Sequence, residues 1–178
     1  MRIRDVMTKR VLALRPEDSL RTAISVFSKN GITGAPVVDK KGRVVGILTE
    51  MDILRRLELG ALELHRTANA VPGQKPEGPG GDGLRLKSLA EALEGLGDLS
   101  VSKLMTSPVV TARPDDLVSE KVTFMVHRRI RRLPVVDRHG VLVGILSRKD
   151  LIRMLDRAGR KKEPARSPSK GAAGGGKA

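Results

Sequence analysis

An internal repeat at constant spacing limits the folds open to this chain more than any other feature. The segment "GILTEMD" that begins at Gly46 returns as "GILSRKD" at Gly144, and the same 98 residues separate Pro36 from Pro134. Around these positions "ITGAPVVDKKGRVVGILTEMD" matches "IRRLPVVDRHGVLVGILSRKD" without a gap. Self-similarity of this kind indicates one supersecondary unit of about fifty residues that the chain builds twice.

The repeats divide the chain into four parts. We predict a first repeat at residues 1–62, a linker at 63–99, a second repeat at 100–157 and a tail at 158–178. The linker contains the Pro/Gly-rich segment "PGQKPEGPGGDG" at residues 72–83, and the leucine spacing of "LRLKSLAEALEGLGDL" then predicts an amphipathic helix. The tail is rich in Pro, Gly, Ser and Lys, so we expect it to be basic and disordered.

The residue pattern inside each repeat predicts strand, helix, strand, strand and helix. Short β-rich runs at 11–14 and 109–112 end at Arg-Pro. The apolar residues that follow recur at helical spacing and predict one buried helix face in each repeat, formed by Leu20, Ala23, Ile24 and Phe27 in the first and by Val118, Val122, Met125 and Val126 in the second. An acidic side chain before each helix, Asp18 or Glu17 and Asp115 or Asp116, offers an N-cap oxygen. "APVVD" and "RVVGILT", like their second copies, form hairpins with a Gly-containing turn. The fold class is therefore α/β of the α+β kind.

Composition excludes several classes of protein. The 178 residues contain no Trp or Tyr and no Cys. The absence of Cys rules out disulfides, thiolate nucleophiles and cysteine zinc sites. No apolar run approaches the roughly 18 residues that span a bilayer, and "MRIRD" lacks the apolar segment of a signal peptide. We expect a cytoplasmic protein.

Motifs of catalysis and metal binding are not apparent. The histidines His65, His127 and His139 stand outside any arrangement of acid, base and nucleophile. "GPGGDG" and "GAAGGGKA" resemble phosphate-binding loops in spelling only, because neither joins a strand to a helix. We expect no enzymatic activity, no metal site and no cofactor.

The repeated end of each "GIL" motif has two interpretations. Thr49 with Asp52, and Ser147 with Asp150, have the spacing of a capping box, in which hydroxyl and carboxylate satisfy the first amides of a helix. The same geometry places free amides, a hydroxyl and a carboxylate at one helix N-terminus. These groups suit the phosphate and ribose oxygens of a nucleotide.

The ordered set "MT", "RP", "PVVD", a Gly turn and "GIL[TS]xxD", present twice, resembles the cystathionine β-synthase (CBS) domain, and the tandem resembles a Bateman module. The resemblance covers residues 1–59 and 100–157. It implies two βαββα repeats packed about a pseudo-twofold axis, with two clefts that bind adenosine-containing ligands.

The resemblance also implies site residues. The last Asp of each motif would hold the ribose, the hydroxyl three residues earlier would contact ribose or phosphate, and residues near the first strand and before the proline would surround the base. In this chain the implied nucleotide-binding residues are Thr8, Val11, Ile32, Thr33, Thr49, Asp52, Thr106, Val109, Ile130, Arg131, Arg132, Ser147 and Asp150. The two arginines stand where the first repeat has Thr33 and Gly34, and guanidinium groups are bidentate partners of phosphate. We therefore hypothesise one strong and one weak site.

The function expected from these features is that of a regulatory sensor. Its ligand would be AMP, ADP or ATP, with S-adenosylmethionine or NAD as further candidates, and the family implies a homodimer. Either a separate effector protein or the linker and tail would transmit the signal. The alternative is a nucleic-acid-associated protein that acts through the Arg-rich second repeat and the tail, where residues 157–178 hold seven Lys or Arg against one Glu. A low aromatic content argues against that alternative.

Overall fold

Both repeats fold into the same succession of helices and strands, which confirms the α+β prediction of two βαββα units. The structure is a computed structural model that describes residues 1–68 and 90–160. A 3-10 turn opens each repeat, at Ile3–Asp5 and Val101–Lys103. The first repeat then contains α1 (Leu20–Asn30), β1 (Gly34–Val38), β2 (Val44–Thr49) and α2 (Glu50–Ala68). Residues 90–96 form α3, and the second repeat contains α4 (Val118–His127), β3 (Arg132–Val136), β4 (Leu142–Ser147) and α5 (Arg148–Arg160).

Each repeat is built on an antiparallel hairpin. β1 pairs with β2 from Gly34 opposite Thr49, and β3 pairs with β4 from Arg132 opposite Ser147. The predicted first strands are confined to single parallel bridges, in which Leu14 joins β1 and Ala112 joins β3. The proline that follows two residues after each bridge has no N–H to continue a ladder.

The "VVD" aspartates close the hairpin turns. The backbone N–H groups of Arg43 and Lys41 donate to Asp39 Oδ1, each at 2.9 Å. In the second repeat the N–H groups of Val141 and His139 donate to Asp137 in the same way. The hydrogen bond from the backbone of Arg43 lowers the pKa of Asp39, and the one from Val141 lowers the pKa of Asp137. These carboxylates stabilise the turns rather than a ligand site.

Helix capping differs from the sequence prediction. Ser19 is the N-cap of α1, and its Oγ accepts from Thr22 N at 3.1 Å. Asp18 and Asp116 instead accept from the N–H of the arginine three residues earlier, at 2.7 and 2.9 Å. The acidic residues therefore close the Arg-Pro turn before each helix instead of capping the helix. Asp side chains commonly accept hydrogen bonds from nearby backbone N–H groups in turns.

Reciprocal contacts between the repeats reveal their pseudo-twofold relation. Val44 N–H donates to Gly140 O at 3.0 Å, and Leu142 N–H donates to Gly42 O at 3.0 Å. Each residue of the first bond corresponds to one of the second at the repeat spacing of 98, because 44 plus 98 is 142 and 140 minus 98 is 42. The hairpins thus meet at their turns in an arrangement that a twofold rotation reproduces.

The opening segments of the two repeats are exchanged. Ile3 is fully buried in the core of the second repeat, whereas Val101 is fully buried in the core of the first. Thr8 forms two backbone hydrogen bonds with Ile145 in β4, at 3.0 and 2.9 Å, and Thr106 pairs in the same way with Ile47 in β2. The core of each repeat is therefore completed by the opening segment of the other repeat.

The exchange explains the glycine of each "GIL" motif. A Cβ on Gly144 would lie 2.5 Å from Met7 Sδ, and a Cβ on Gly46 would overlap Met105 Sδ. Only a residue without a side chain leaves room for these methionines. The "MT" motif of one repeat and the "GIL" motif of the other are thus one packing unit.

Helix α3 extends the first core. Its residue Ala92 is buried, and Leu93 and Leu96 pack against the first core cluster. Leu96 and Ala92 also cover Gly60 of α2, where a Cβ would lie 2.8 Å from Leu96 Cδ1. The amphipathic helix predicted for the linker is therefore seen in its second half, and the Pro/Gly-rich segment and the tail from residue 161 lie outside the described residues.

One predicted core position is exposed. The helical spacing placed Val126 on the buried face of α4, but 68% of its surface is accessible. Within residues 1–68 and 90–160, no helix has both the length and the apolar character needed to cross a bilayer.

Candidate functional site

The carboxylate of Asp150 lies at the centre of a cluster assembled from both repeats. Asp150 follows β4 directly, in the first turn of α5, and its side chain is 3% exposed. Ser147 donates to Asp150 Oδ2 from its backbone N at 2.8 Å and from Oγ at 2.5 Å. Thr8 Oγ1 donates to the other oxygen, Oδ1, at 2.8 Å. The cluster therefore joins three predicted site residues, and one of them comes from the exchanged segment.

The capping box at this helix is present. Asp150 N donates back to Ser147 Oγ at 3.4 Å, so hydroxyl and carboxylate satisfy each other's backbone amides. Arg153 Nη1, one turn later, lies 3.4 Å from Asp150 Oδ1. The structural interpretation of this motif and the ligand interpretation therefore use the same atoms.

The equivalent cluster in the first repeat is more open. Thr49 donates to Asp52 Oδ2 from its backbone N at 2.8 Å and from Oγ1 at 2.6 Å. Asp52 is half-buried, and Thr106, the counterpart of Thr8, is exposed. In the part of the chain that the structure describes, Thr106 Oγ1 makes no hydrogen bond to Asp52. The two sites therefore share a motif but differ in closure.

A cavity of about 480 Å³ opens beside the Asp150 cluster. Its volume lies in the range of about 300–1,000 Å³ that small-molecule sites occupy. The exchanged N-terminal segment forms one wall and α5 forms the other, through Met1, Asp5, Val6, Met7, Thr8, Asp150, Arg153, Met154, Arg157 and Ala158. Apolar side chains, two carboxylates and two guanidinium groups thus surround one space.

The predicted arginines lie across the boundary between the repeats. Arg132 Nη2 donates to Thr33 Oγ1 at 2.6 Å, and Arg131 Nη1 lies 3.8 Å from Glu50 Oε1. The guanidinium of Arg132 also covers Gly34, where a Cβ would overlap Nη1. The structure therefore brings Thr33 and both arginines together, beside the N-terminus of α2.

Burial changes the electrostatics of this second cluster. It lowers the pKa of Arg132, a shift that the Glu50 carboxylate opposes and the neighbouring Arg131 reinforces. A guanidinium remains charged despite such a shift. Arg132 therefore presents a half-buried positive charge, and Glu50 is the carboxylate that lies near it and its neighbour Arg131.

The other predicted residues contribute apolar surface. Ile32 packs partly against the first core and Ile130 against the second. Each lies two residues before a strand, β1 or β3. Val11 and Val109 are half-buried at the start of the bridge segments. Among the described residues, no hydrogen bond joins any of these four to Asp52 or Asp150.

Sequence reasoning missed four charged residues near the predicted site, and one of them, Asp5, lines the cavity from the exchanged segment. Arg153 and Arg157 line the cavity, three and seven positions after Asp150, and this helical spacing was a signal that could have found them. Glu50 stands directly after Thr49 and faces Arg131. Among the residues described, no three His, Asp or Glu side chains form a group that could hold a metal ion.

Comparison with known proteins gives a consistent result. The family model of the CBS domain matches residues 3–59 and 101–157. An uncharacterized protein of Methanocaldococcus jannaschii, MJ1426, is 36% identical over 155 residues, which are 87% of this chain and 91% of that protein.

Solved structures share the fold. The crystal structure of CBSX2 in complex with AMP, a CBS-pair protein from Arabidopsis thaliana, has a TM-score of 0.66 at 23% identity and covers 90% of this chain and 99% of that chain. The CBS domain pair of MJ0100, in complex with 5-methylthioadenosine and S-adenosyl-L-methionine, has a TM-score of 0.62 at 22% identity. That match covers 89% of this chain and 98% of the other.

Proposed function

The chain belongs to the CBS domain family, and on this premise we propose that it is a regulatory module that binds an adenosine-containing nucleotide beside its second repeat. The observation that carries the proposal is the convergence of Thr8, Ser147 and Asp150 at the edge of a cavity of about 480 Å³. Two hydroxyls and a carboxylate at a helix N-terminus are suitable partners for a ribose.

Binding would proceed by exchange of hydroxyl groups at Asp150. Both carboxylate oxygens already accept hydrogen bonds, Oδ2 from Ser147 and Oδ1 from Thr8. A ribose hydroxyl would replace the Thr8 hydroxyl at Oδ1, so the buried carboxylate would keep its full set of partners. Because Thr8 belongs to the exchanged segment, ligand binding would remove a hydrogen bond between the two repeats.

The remaining parts of a nucleotide also have candidate partners. Apolar side chains of the cavity, Met7 and Met154 among them, offer surface to the base, and Arg153 and Arg157 line the same space. Arg131 and Arg132 would reach phosphate oxygens from the boundary between the repeats. Cationic groups on both sides favour phosphorylated ligands, so we place AMP, ADP and ATP before S-adenosylmethionine and NAD.

Solved relatives support the ligand class. CBSX2 was crystallised with AMP, and the MJ0100 domain pair was crystallised with 5-methylthioadenosine and S-adenosyl-L-methionine. All three compounds contain adenosine. A regulatory role, in which a second protein reads the occupied state, fits a chain whose family match consists of two CBS domains.

Assembly into a homodimer forms part of the proposal. The outer faces of α2 and α5 expose Met51, Leu54, Ile152 and Leu155, with accessible fractions between 44% and 65%. Two copies of the chain can bury apolar faces of this kind. Light scattering after size-exclusion chromatography should give twice the 19.2 kDa chain mass, and a monomer at all concentrations would refute this part.

Thermal shift against a ligand panel tests the function. The panel contains AMP, ADP, ATP, S-adenosylmethionine, NAD and cyclic di-AMP, each applied to the wild type, Asp150→Ala and Asp156→Ala. A ligand at one hundred times its Kd adds about 2.7 kcal/mol, which is roughly 5 to 10 °C for a chain of this size.

We expect one or more adenosine ligands to raise the Tm of the wild type and of Asp156→Ala but not of Asp150→Ala. Asp156 is the matched control because it lies in the same helix, exposed and paired with Arg160. A panel in which no compound shifts the wild type would refute the proposed function. An equal shift in both variants would remove Asp150 from the site.

A further inference from the structure

Charged groups from both repeats meet beside the N-terminus of α2. Glu50 supplies the carboxylate, Arg131 lies 3.8 Å from its Oε1, and Arg132 donates to Thr33 Oγ1 at 2.6 Å. Glu50 N also donates to Thr33 O at 3.1 Å, which ties the carboxylate's own backbone to the residue that Arg132 contacts. The cluster is therefore compact and has one negative and two positive charges.

The fold itself does not require a carboxylate at this position. Arg148 is the counterpart of Glu50 in the second repeat, and Arg148 N donates to Arg131 O at 3.2 Å as Glu50 N donates to Thr33 O. The same backbone geometry thus accepts side chains of opposite charge. The acidic residue is matched to what faces it, which is the pair of arginines from the other repeat.

The arginines are the groups that a ligand phosphate would use, and Glu50 is already beside them. The side chain of Glu50 is 41% exposed, so it can turn toward solvent. Its backbone nevertheless stays fixed directly after Thr49. A second anion at the arginines would lie close to this carboxylate. Repulsion between the two anions grows with each further negative charge on the ligand.

We infer that Glu50 is a specificity-determining residue that occupies the arginine pair in place of a phosphate and thereby disfavours ligands with several phosphates relative to those with one. The inference rests on the proposed function, because it concerns the charge preference of the same nucleotide site. Arg131 and Arg132 attract anionic ligands, and Glu50 sets how much negative charge they accept.

Calorimetric titration with AMP and with magnesium-free ATP tests the inference through the ratio of the two Kd values. Glu50→Gln should tighten ATP binding about three- to fivefold, the size expected for one exposed charge pair, and should affect AMP less. Glu50→Arg, which copies the second repeat, should move the ratio further in the same direction. Glu58→Gln is the matched control, since it removes the same charge from an exposed site two turns along α2.

A double-mutant cycle shows whether the effect acts through the arginines. In Glu50→Gln combined with Arg131→Gln, the gain in ATP affinity should be smaller than in Glu50→Gln alone. An unchanged ratio in both Glu50 variants, or an equal change in Glu58→Gln, would overturn the inference. The proposed function would still stand in that case, provided that the wild type binds AMP. If the wild type binds neither nucleotide, the proposed function fails and the inference fails with it.

Discussion

The aspartates that end the two "GIL" motifs have the same local sequence context and different environments. Asp150 is 4% exposed and accepts hydrogen bonds on both oxygens, whereas Asp52 is half-buried and accepts from Thr49 on one oxygen. The difference arises 142 residues away in the chain, where Thr8 closes the second site and its counterpart Thr106 leaves the first site open. A motif therefore supplies the groups of a site, and the exchanged segment of the other repeat decides how they are presented.

The largest expected effect concerns the exchange itself. Ile3→Ala should lower the free energy of unfolding by about 3 kcal/mol, because a fully buried side chain leaves a cavity in the core of the second repeat. Urea denaturation measures the loss. Leu12→Ala, which removes an apolar side chain that is 48% exposed, is the control. Equal losses in the two variants would show that residues 1–8 are not part of that core.

A smaller effect separates the two carboxylates. Asp150→Ala should destabilise the ligand-free protein by about 2 kcal/mol, since Thr8 and Ser147 lose a shared acceptor in a buried place. Asp52→Ala should cost less than about 1 kcal/mol, because Asp52 is itself half-buried and water can replace it as the acceptor for Thr49. Both values come from the same denaturation experiment. If Asp52→Ala lowered the free energy of unfolding as much as Asp150→Ala, the difference in closure between the two sites would not contribute to stability.

The smallest effect lies where the repeats agree. Asp39 and Asp137 have pKa values below the ordinary value of 3.8, so the stabilisation that each contributes is present above about pH 4 and lost as the pH falls through the lowered pKa. Asp39→Asn and Asp137→Asn should each lower the Tm at pH 7 and flatten its fall between pH 5 and pH 2. Thermal melts across this range test the prediction. Variants that keep the wild-type slope would contradict it.

Local sequence patterns were sufficient for the framework of each repeat. Apolar runs joined by Gly-containing turns predicted the hairpins, and helical spacing placed Leu20, Ala23 and Phe27 on the buried face of α1. The hydroxyl and carboxylate of Ser147 and Asp150 were expected together because they are three residues apart at a helix start. These contacts depend on neighbours in the chain, which a sequence pattern records.

The exchange could not be predicted in the same way. Met7 and Met105 occupy equivalent positions in two similar repeats, so periodicity is satisfied whichever core each one joins. The choice depends on the path of the chain between the repeats, which no local pattern encodes. Glu50 was missed for the related reason that its partner, Arg131 of the other repeat, is defined only once the repeats are packed. Arg153, by contrast, lies three residues after its partner Asp150 in the same helix, so helical spacing alone could have found it.

The most direct test of the central claim is a calorimetric titration of the strongest ligand from the panel into the wild type, Asp52→Ala and Asp150→Ala. We expect two sites of unequal affinity in the wild type, and we expect Asp150→Ala to weaken the tighter one about tenfold to a hundredfold, because a hydrogen bond to a carboxylate contributes about 1.5 to 3 kcal/mol. Asp52→Ala should leave that site unchanged. Two sites of equal affinity, or a tighter site that survives Asp150→Ala, would contradict the account.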